Sequence, residues 1–186
     1  MNADEEYLLG AMTDAYFDTK RSEIQFYQKN REWLEHINDL LFRCFNVKGK
    51  IFKRDVFLLR KRNKEMALKI KSIQKKKIHD GTSFVSGLFD AEGSIYLSTK
   101  SKIPVLDITQ SEKGLKNLLI AKEVFEREKI KCFLNGPYKN KHGKLLQYHL
   151  RVYGKGNCKL FLLKVGLKHP EKLKKLMFLA DIDPTL

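Results

Sequence analysis

Two carboxylates carry the chemistry that this sequence can do. Glu92 closes the stretch Phe84-Val85-Ser86-Gly87-Leu88-Phe89-Asp90-Ala91-Glu92, which reads as a short helix that stops at Gly93 and runs into a strand. Gly87 and Ala91 are four apart and share one face of that helix, a face another backbone can approach closely. Glu92 then sits at the helix C-terminus, where the macrodipole disfavours negative charge. A carboxylate at this place needs a counter-charge, either a metal ion or a base. A weaker copy of the pattern lies near the start of the chain, Tyr7-Leu8-Leu9-Gly10-Ala11-Met12-Thr13-Asp14-Ala15. Its spacing differs by one, because Gly87 to Glu92 is five positions and Gly10 to Asp14 is four. If the acids align, Asp14 is the partner of Glu92; if the glycines align, Ala15 stands where the acid should be. The first register is preferred because strand residues begin soon after either acid, and Asp18 is a third acid in the same neighbourhood.

These acids are positioned by elements that read twice along the chain in the same order. The pattern predicts a helix from Glu5 to Ala15 and a strand over Ser22 to Gln28, with Ile24 and Phe26 on one face. A helix over Arg31 to Phe45 follows, capped by Asn30 and carrying Trp33, Leu34, Ile37, Leu40 and Leu41 inward. Strands over 47–53 and 56–60 lead to a helix capped at Asn63, with Met66, Ala67 and Ile70 inward. Lys75-Lys76-Lys77 and Asp80-Gly81 read as a solvated linker, after which Thr82 or Ser83 can cap the helix that ends at Glu92. The second half predicts strands over 94–99 and 103–110, then a helix over 112–129 with Leu115, Leu118, Leu119, Val124 and Phe125 inward. Strands over 130–134 and 145–153 follow, joined by a basic loop from Asn135 to Lys144, and helices over 157–165 and 171–179 close the chain. Leu59-Arg60-x-x-x-Lys64 and Leu150-Arg151-x-x-x-Lys155 mark the same strand-to-helix junction in both halves. An internal duplication is a stronger fold signal than any single motif, and it predicts an α+β chain of two αββαββα repeats, residues 1–77 and 78–186.

Composition narrows the partner. The chain has 186 residues with 37 Lys and Arg against 22 Asp and Glu, a net charge of +15, which points to a polyanion and to nucleic acid before an anionic membrane. No apolar run approaches the roughly 18 residues that span a bilayer, and the acidic start MNADEEYLLG is unlike a signal peptide. The expectation is a cytoplasmic, nucleoid-associated protein. Cys44, Cys132 and Cys158 are far apart and show no zinc spacing, so they are expected as buried thiols. His79, His142 and His169 show no metal spacing either.

The opening motif, its weaker copy and the repeated order resemble the LAGLIDADG homing endonucleases of the single-chain, two-repeat type. The segments GAMTDA, FYQKNREWL and GLFDAEGSI look most like the archaeal branch of that family. The resemblance implies two motif helices packed side by side, each ending in an acid that holds a divalent metal. Asp14 and Glu92 are the matching positions, and Mg²⁺ is the implied metal, with Mn²⁺ as a substitute. It further implies a glutamine or lysine at a strand end and a lysine near a helix start around the attacking water. Gln28 and Gln110 match the first role, Lys64 and Lys155 the second, with Lys29 and Lys113 weaker candidates. The two antiparallel sheets are implied to form a saddle on double-stranded DNA. Arg21, Glu23, Gln25, Lys50, Arg54, Lys100, Lys102, Asp107, Gln147, His149 and Arg151 are the matching strand and turn positions, while His149 and Tyr148 can also be core or rim. The implied activity is site-specific double-strand cleavage by a monomer. The alternative is a non-cleaving DNA-binding protein, or an intron maturase acting on RNA, on the same scaffold.

Overall fold

The computed structural model describes residues 1–139, 143 and 146–182. Helix α1 (Ala3–Ala11) is started by Asn2, whose side chain accepts from the Glu5 amide at 2.9 Å while Glu5 reaches back to the Asn2 amide at 3.1 Å. This reciprocal cap satisfies two of the orphan donors of the first turn. The helix expected to run to Ala15 stops at Ala11 and tightens into a 3-10 turn, Met12–Asp14. Strands β1 (Tyr16–Asp18) and β2 (Glu23–Gln28) follow, then α2 (Arg31–Phe45), β3 (Lys50–Lys53), β4 (Phe57–Arg62) and α3 (Lys64–Gln74). Asn30 and Asn63 cap α2 and α3 by accepting from Trp33 and Met66 at 2.8 and 2.7 Å. The inward residues expected on α2 and α3 are all buried.

The second half has the same order: α4 (Thr82–Glu92), β5 (Gly93–Leu97), β6 (Pro104–Ser111), a 3-10 turn (Glu112–Gly114), α5 (Leu115–Arg127), β7 (Cys132–Lys139), β8 (Leu146–Tyr153), α6 (Lys155–Lys164) and α7 (Pro170–Ala180). Each half contributes one antiparallel sheet, ordered β1-β2-β4-β3 and β5-β6-β8-β7. Further boundaries correct the sequence reading. Strand β3 starts at Lys50 rather than at 47. Thr82 opens α4 as its first helical residue, and Gly81, at φ 82°, supplies the carbonyl that accepts from the Val85 amide. Strand β7 runs on to Lys139, so 135–139 of the expected basic loop are strand; residues 140–142, 144 and 145 lie outside the described residues. Asn-Gly-Pro read as a turn because those residues favour turns. Here a register shift between Asn135 and Tyr138 absorbs them as an irregularity in the pairing with β8.

The chain divides into two compact units, Met1–Ala91 with Lys168–Pro170, and Glu92–Leu167 with Glu171–Leu186. Helix α4 opens the second repeat in chain order, yet it belongs to the first unit up to Ala91. The first core joins Tyr7, Leu8 and Ala11 of α1 to Trp33, Ile37 and Leu41 of α2, Ile24, Phe26 and Leu59 of the sheet, and Met66 and Ile70 of α3. In the second unit Leu106, Ile108, Leu150 and Val152 of the sheet are buried, as are Leu118, Ala121, Val124 and Phe125 of α5. Phe125 meets Phe161 of α6 edge to face at 5.8 Å. Leu119, expected inward, is 45% exposed, and Ala121 takes an inward place instead.

Each sheet keeps the face opposite its helices for polar and aromatic side chains, as strand alternation requires. On the first sheet Ile24 and Phe26 face the core, so Glu23, Gln25 and Tyr27 face away, with Arg60, Arg62, Lys50 and Phe52 beside them in register. On the second, Leu106 and Ile108 face the core. Asp107 and Thr109 face away, beside Arg151, His149, Ser94 and Asn135.

Candidate active site and nucleic-acid interface

The two motif helices meet at their glycines, within the first unit. A Cβ on Gly10 would stand 2.0 Å from the Phe84 carbonyl oxygen and 2.6 Å from the Leu88 amide. A Cβ on Gly87 would stand 2.1 Å from the Tyr7 carbonyl oxygen and 2.9 Å from the Ala11 amide. Each glycine therefore faces the residues three before and one after the other glycine, which makes Gly10 and Gly87 equivalent. No side chain fits between the backbones at either place, and this contact is what the glycines are for.

Buried polar groups hold the pair. Tyr7 on α1 donates to Asp90 on α4 at 2.6 Å and accepts from the Trp33 indole at 2.9 Å. Asp90 is wholly buried and also accepts from the Lys168 amide at 2.7 Å. Burial, then the Asp90 charge, push the Tyr7 hydroxyl far above its ordinary pKa, so it stays a neutral donor. At the other end of the pair, Glu6, 3% exposed, accepts from the amides of His79 and Gly81 at 2.6 and 3.0 Å. One carboxylate thus ties down the segment that enters α4.

Strand register resolves the spacing of the two acids. Tyr16 pairs with Gln25, and Gln25 with Arg60; Ser94 pairs with Asp107, and Asp107 with Arg151. Arg60 and Arg151 each lie four residues before the first residue of the next helix, Lys64 and Lys155. Tyr16 is therefore equivalent to Ser94, and counting back makes Asp14 equivalent to Glu92. The helices match on their glycines and the sheets match on the acids, with one residue fewer in the first repeat between the two marks. The 3-10 turn at Met12–Asp14 takes up that difference. Three residues at about 2.0 Å rise cover the same 6 Å or so as four α-helical residues at about 1.5 Å. Asp14 is exposed at the end of that turn, and Glu92 is half-buried as the last residue of α4.

The other candidates take these places. Gln28 ends β2, and its Oε1 accepts from the Lys29 amide at 2.8 Å. Gln110 is one residue from the end of β6; its Oε1 lies over Gly114, where a Cβ would come within 2.0 Å. The buried Gln110 Nε2 has no hydrogen-bond partner among the described residues. Lys64 and Lys155 are the first residues of α3 and α6, and both are exposed; Lys155 pairs with Asp181. Lys29 and Lys113 are exposed, and Asp18 on β1 accepts from the amides of Lys20 and Arg21 at 2.9 and 3.0 Å. Among the described residues no three His, Cys, Asp or Glu side chains gather as metal ligands. Cys158 is buried while Cys44 and Cys132 are only half-buried.

On the open faces, Arg21, Lys50, Arg54, Lys100 and Lys102 are exposed, and Gln25, Gln147, His149 and Arg151 are half-buried. Glu23 and Asp107 are different: 2% and 5% exposed, they lie beneath cations. Glu23 accepts from Arg60 at 2.7 Å, with Arg62 at 3.4 Å and the Gln25 amide beside it. The Arg60 hydrogen bond, then that of Gln25, hold the Glu23 carboxyl below its ordinary pKa. Asp107 accepts from Arg151 at 2.9 Å, from Tyr96 at 3.0 Å and from His149 at 3.0 Å. Arg60 and Arg62, with Tyr27 and Phe52 exposed beside them, were not among the residues singled out from sequence. The Leu-Arg-x-x-x-Lys repeat was the available signal for Arg60: Leu59 is core, so its neighbour must face outward. Lys48, Lys50, Arg60, Lys61 and Arg62 line a shallow cleft around Glu23 on this sheet.

Residues 82–166, from α4 to the end of α6, match the model of a LAGLIDADG-like domain. No curated protein matches the chain by sequence. Among solved structures, variants of the homing endonuclease I-DmoI are 22% identical with a TM-score of 0.64, over 88% of this chain and 90% of theirs. I-DmoI in complex with DNA and Ca gives 22% and 0.65, over 95% of this chain and 97% of that one. The homing endonuclease I-WcaI bound to its DNA recognition sequence gives 17% and 0.63, over 94% and 85%. No helix among the described residues is long and apolar enough to cross a membrane. Residues 82–166 are thus similar to a LAGLIDADG-like domain, and the chain that contains them has the two-sheet α+β fold of these homing endonucleases.

Proposed function

We propose that this chain is a site-specific double-strand DNA endonuclease that works as a monomer with Mg²⁺, for which Mn²⁺ can substitute. The observation that carries the reading is the equivalence of Asp14 and Glu92, each two residues before the matching position on the first strand of its sheet. Open sheet faces bearing arginine, lysine and aromatic side chains, together with a net charge of +15, suit a duplex with one charge per phosphate. The fold match to endonucleases crystallised on DNA supports the same substrate.

The donor set fits a hard divalent ion. Mg²⁺ keeps several waters and needs only one or two carboxylates, and the carboxylates of Asp14 and Glu92 are hard oxygen donors, with no His or Cys cluster among the described residues to favour a softer metal. Such an ion, when bound, neutralises charge on the phosphate and lowers the pKa of a bound water. The rest falls to the chain's own side chains. The amides of Gln28 and Gln110 orient water; the unpartnered Gln110 Nε2 is a donor ready for it among the described residues. Lys64 and Lys155 supply positive charge near the phosphates, and the two sheet faces hold the duplex in register.

The test is cleavage of a library of long random duplexes with Mg²⁺. Enrichment of one family of sites among the cut products supports the reading, and intact libraries at every enzyme concentration contradict it. The shortened first repeat is the observation behind a second reading, a protein on this scaffold that binds DNA or intron RNA without cutting. Sequence-specific retention of duplex or RNA without cleavage would select it.

A further inference from the structure

Asp107 is an acid on a face built for a polyanion. It is 5% exposed, and both of its oxygens are taken: Oδ2 by Arg151 Nε at 2.9 Å and the Tyr96 hydroxyl at 3.0 Å, Oδ1 by His149 Nδ1 at 3.0 Å. Thr109 Oγ1 also meets His149 Nδ1 at 3.0 Å, so the imidazole is held from two sides. Buried and already holding three donors, the carboxylate is turned to its neighbours rather than to a base edge. Its position directly across from Arg151 in the strand ladder fixes the guanidinium instead. Burial alone would lower the Arg151 pKa, and the Asp107 hydrogen bond and charge override it, so the cation is permanent.

Nε is engaged by Asp107 and the Tyr153 side chain adds a further hydrogen bond to the guanidinium, so the group is held on two sides while its side chain stays 25% exposed. A guanidinium edge held in one plane suits guanine, which offers N7 and O6 together in the major groove; no other base presents two acceptors there. A free arginine would exchange among phosphates, whereas one already anchored has lost most of its rotamer freedom before binding. The equivalent arginine of the first sheet contrasts with it. Arg60 uses a terminal nitrogen, Nη2, on Glu23, and its side chain is 46% exposed, an arrangement suited to phosphate contact.

We infer that Asp107 is a positioning residue that presents Arg151 to a guanine of the target, and that this pair sets specificity at that base. The inference rests on the endonuclease reading. Its test is selection of bound duplexes from a randomised library in Ca²⁺ with the parent, Asp107→Asn and Arg151→Lys. The parent should enrich a site containing a strongly preferred guanine. Both variants should relax that one position by about 5- to 100-fold while the preferences at the other positions of the site persist. If Asp107→Asn does not fold, as judged by its melting transition, Arg151→Lys together with Tyr96→Phe carries the comparison, and Tyr96→Phe should relax the same position partially. A profile unchanged in the variants overturns the inference, as does relaxation with Asp107→Asn but not with Arg151→Lys. A parent that enriches no sequence overturns the endonuclease reading itself, and that failure is visible in the parent alone.

Discussion

A methyl group on Gly87 would stand 2.1 Å from the carbonyl oxygen of Tyr7, closer than any real contact, and the obstacle is backbone. The helices of the two motifs therefore cannot keep this approach with even the smallest side chain at the crossing. Gly87→Ala should lower stability by about 1–3 kcal/mol and Gly87→Leu by more, read from urea midpoints. Equal midpoints for parent and Gly87→Leu would show that the helices do not meet here.

The hydroxyl of Tyr7 serves two buried partners, Asp90 and the Trp33 indole. Tyr7→Phe keeps the ring and removes a donor from Asp90 and an acceptor from Trp33. Leaving buried polar groups short of partners costs about 1–3 kcal/mol. Chemical denaturation should report that loss, and a variant as stable as the parent would mean that water replaces the hydroxyl without cost.

Much of this fold was legible because its signals are local. Asn30 and Asn63 announce their helices, and Trp33, Leu34, Ile37 and Leu40 trace one helical face. The 3-10 turn was not legible: Met12-Thr13-Asp14 has no residue that demands it, and it exists because the helix contact fixes Gly10 while the sheet fixes Tyr16. Strand β7 was hidden for a related reason, since tertiary pairing with β8 overrides the turn preference of Asn135-Gly136-Pro137. The acids Glu23 and Asp107 showed their outward facing by alternation, but their burial depends on arginines supplied by the neighbouring strands, Arg60 on β4 and Arg151 on β8. No single stretch of sequence displays that.

Glu23 gives a pH dependence with a defined sign. Its carboxyl is held below the ordinary value by Arg60 and then Gln25, so the unfolded chain binds a proton more readily than the folded one. The stabilisation is complete above the unfolded pKa of about 4.3 and is lost as pH falls through the lower folded value. Glu23→Gln should be less stable than the parent at pH 7, and the gap should narrow on acidification below about pH 4. A gap that is constant from pH 7 to pH 3 would show that the ion pair contributes nothing through its charge.

Binding to duplex should weaken steeply with salt, because Lys50, Arg54, Arg60 and Arg62 are exposed on or beside one sheet. On the order of 6–10 phosphate contacts would lose about 10³–10⁵ in affinity between 50 and 200 mM salt. Fluorescence anisotropy across that range checks it, and a flat response would remove nucleic acid as the partner.

The central claim is that Glu92 and Asp14 are the equivalent catalytic acids, and paired kinetics of nicking and double-strand cleavage on a supercoiled plasmid carrying the selected site test it most directly. Glu92→Gln keeps the shape of the side chain and removes its charge. In Mg²⁺ its double-strand cleavage should fall roughly 100-fold or more, as expected when several kcal/mol of transition-state stabilisation are lost, while binding in Ca²⁺ persists. Asp14→Asn should give a matching loss or leave nicks in one strand, because register makes the two acids equivalent. A Glu92→Gln protein that cuts both strands at the parent rate would contradict the account, and so would an Asp14→Asn protein that does.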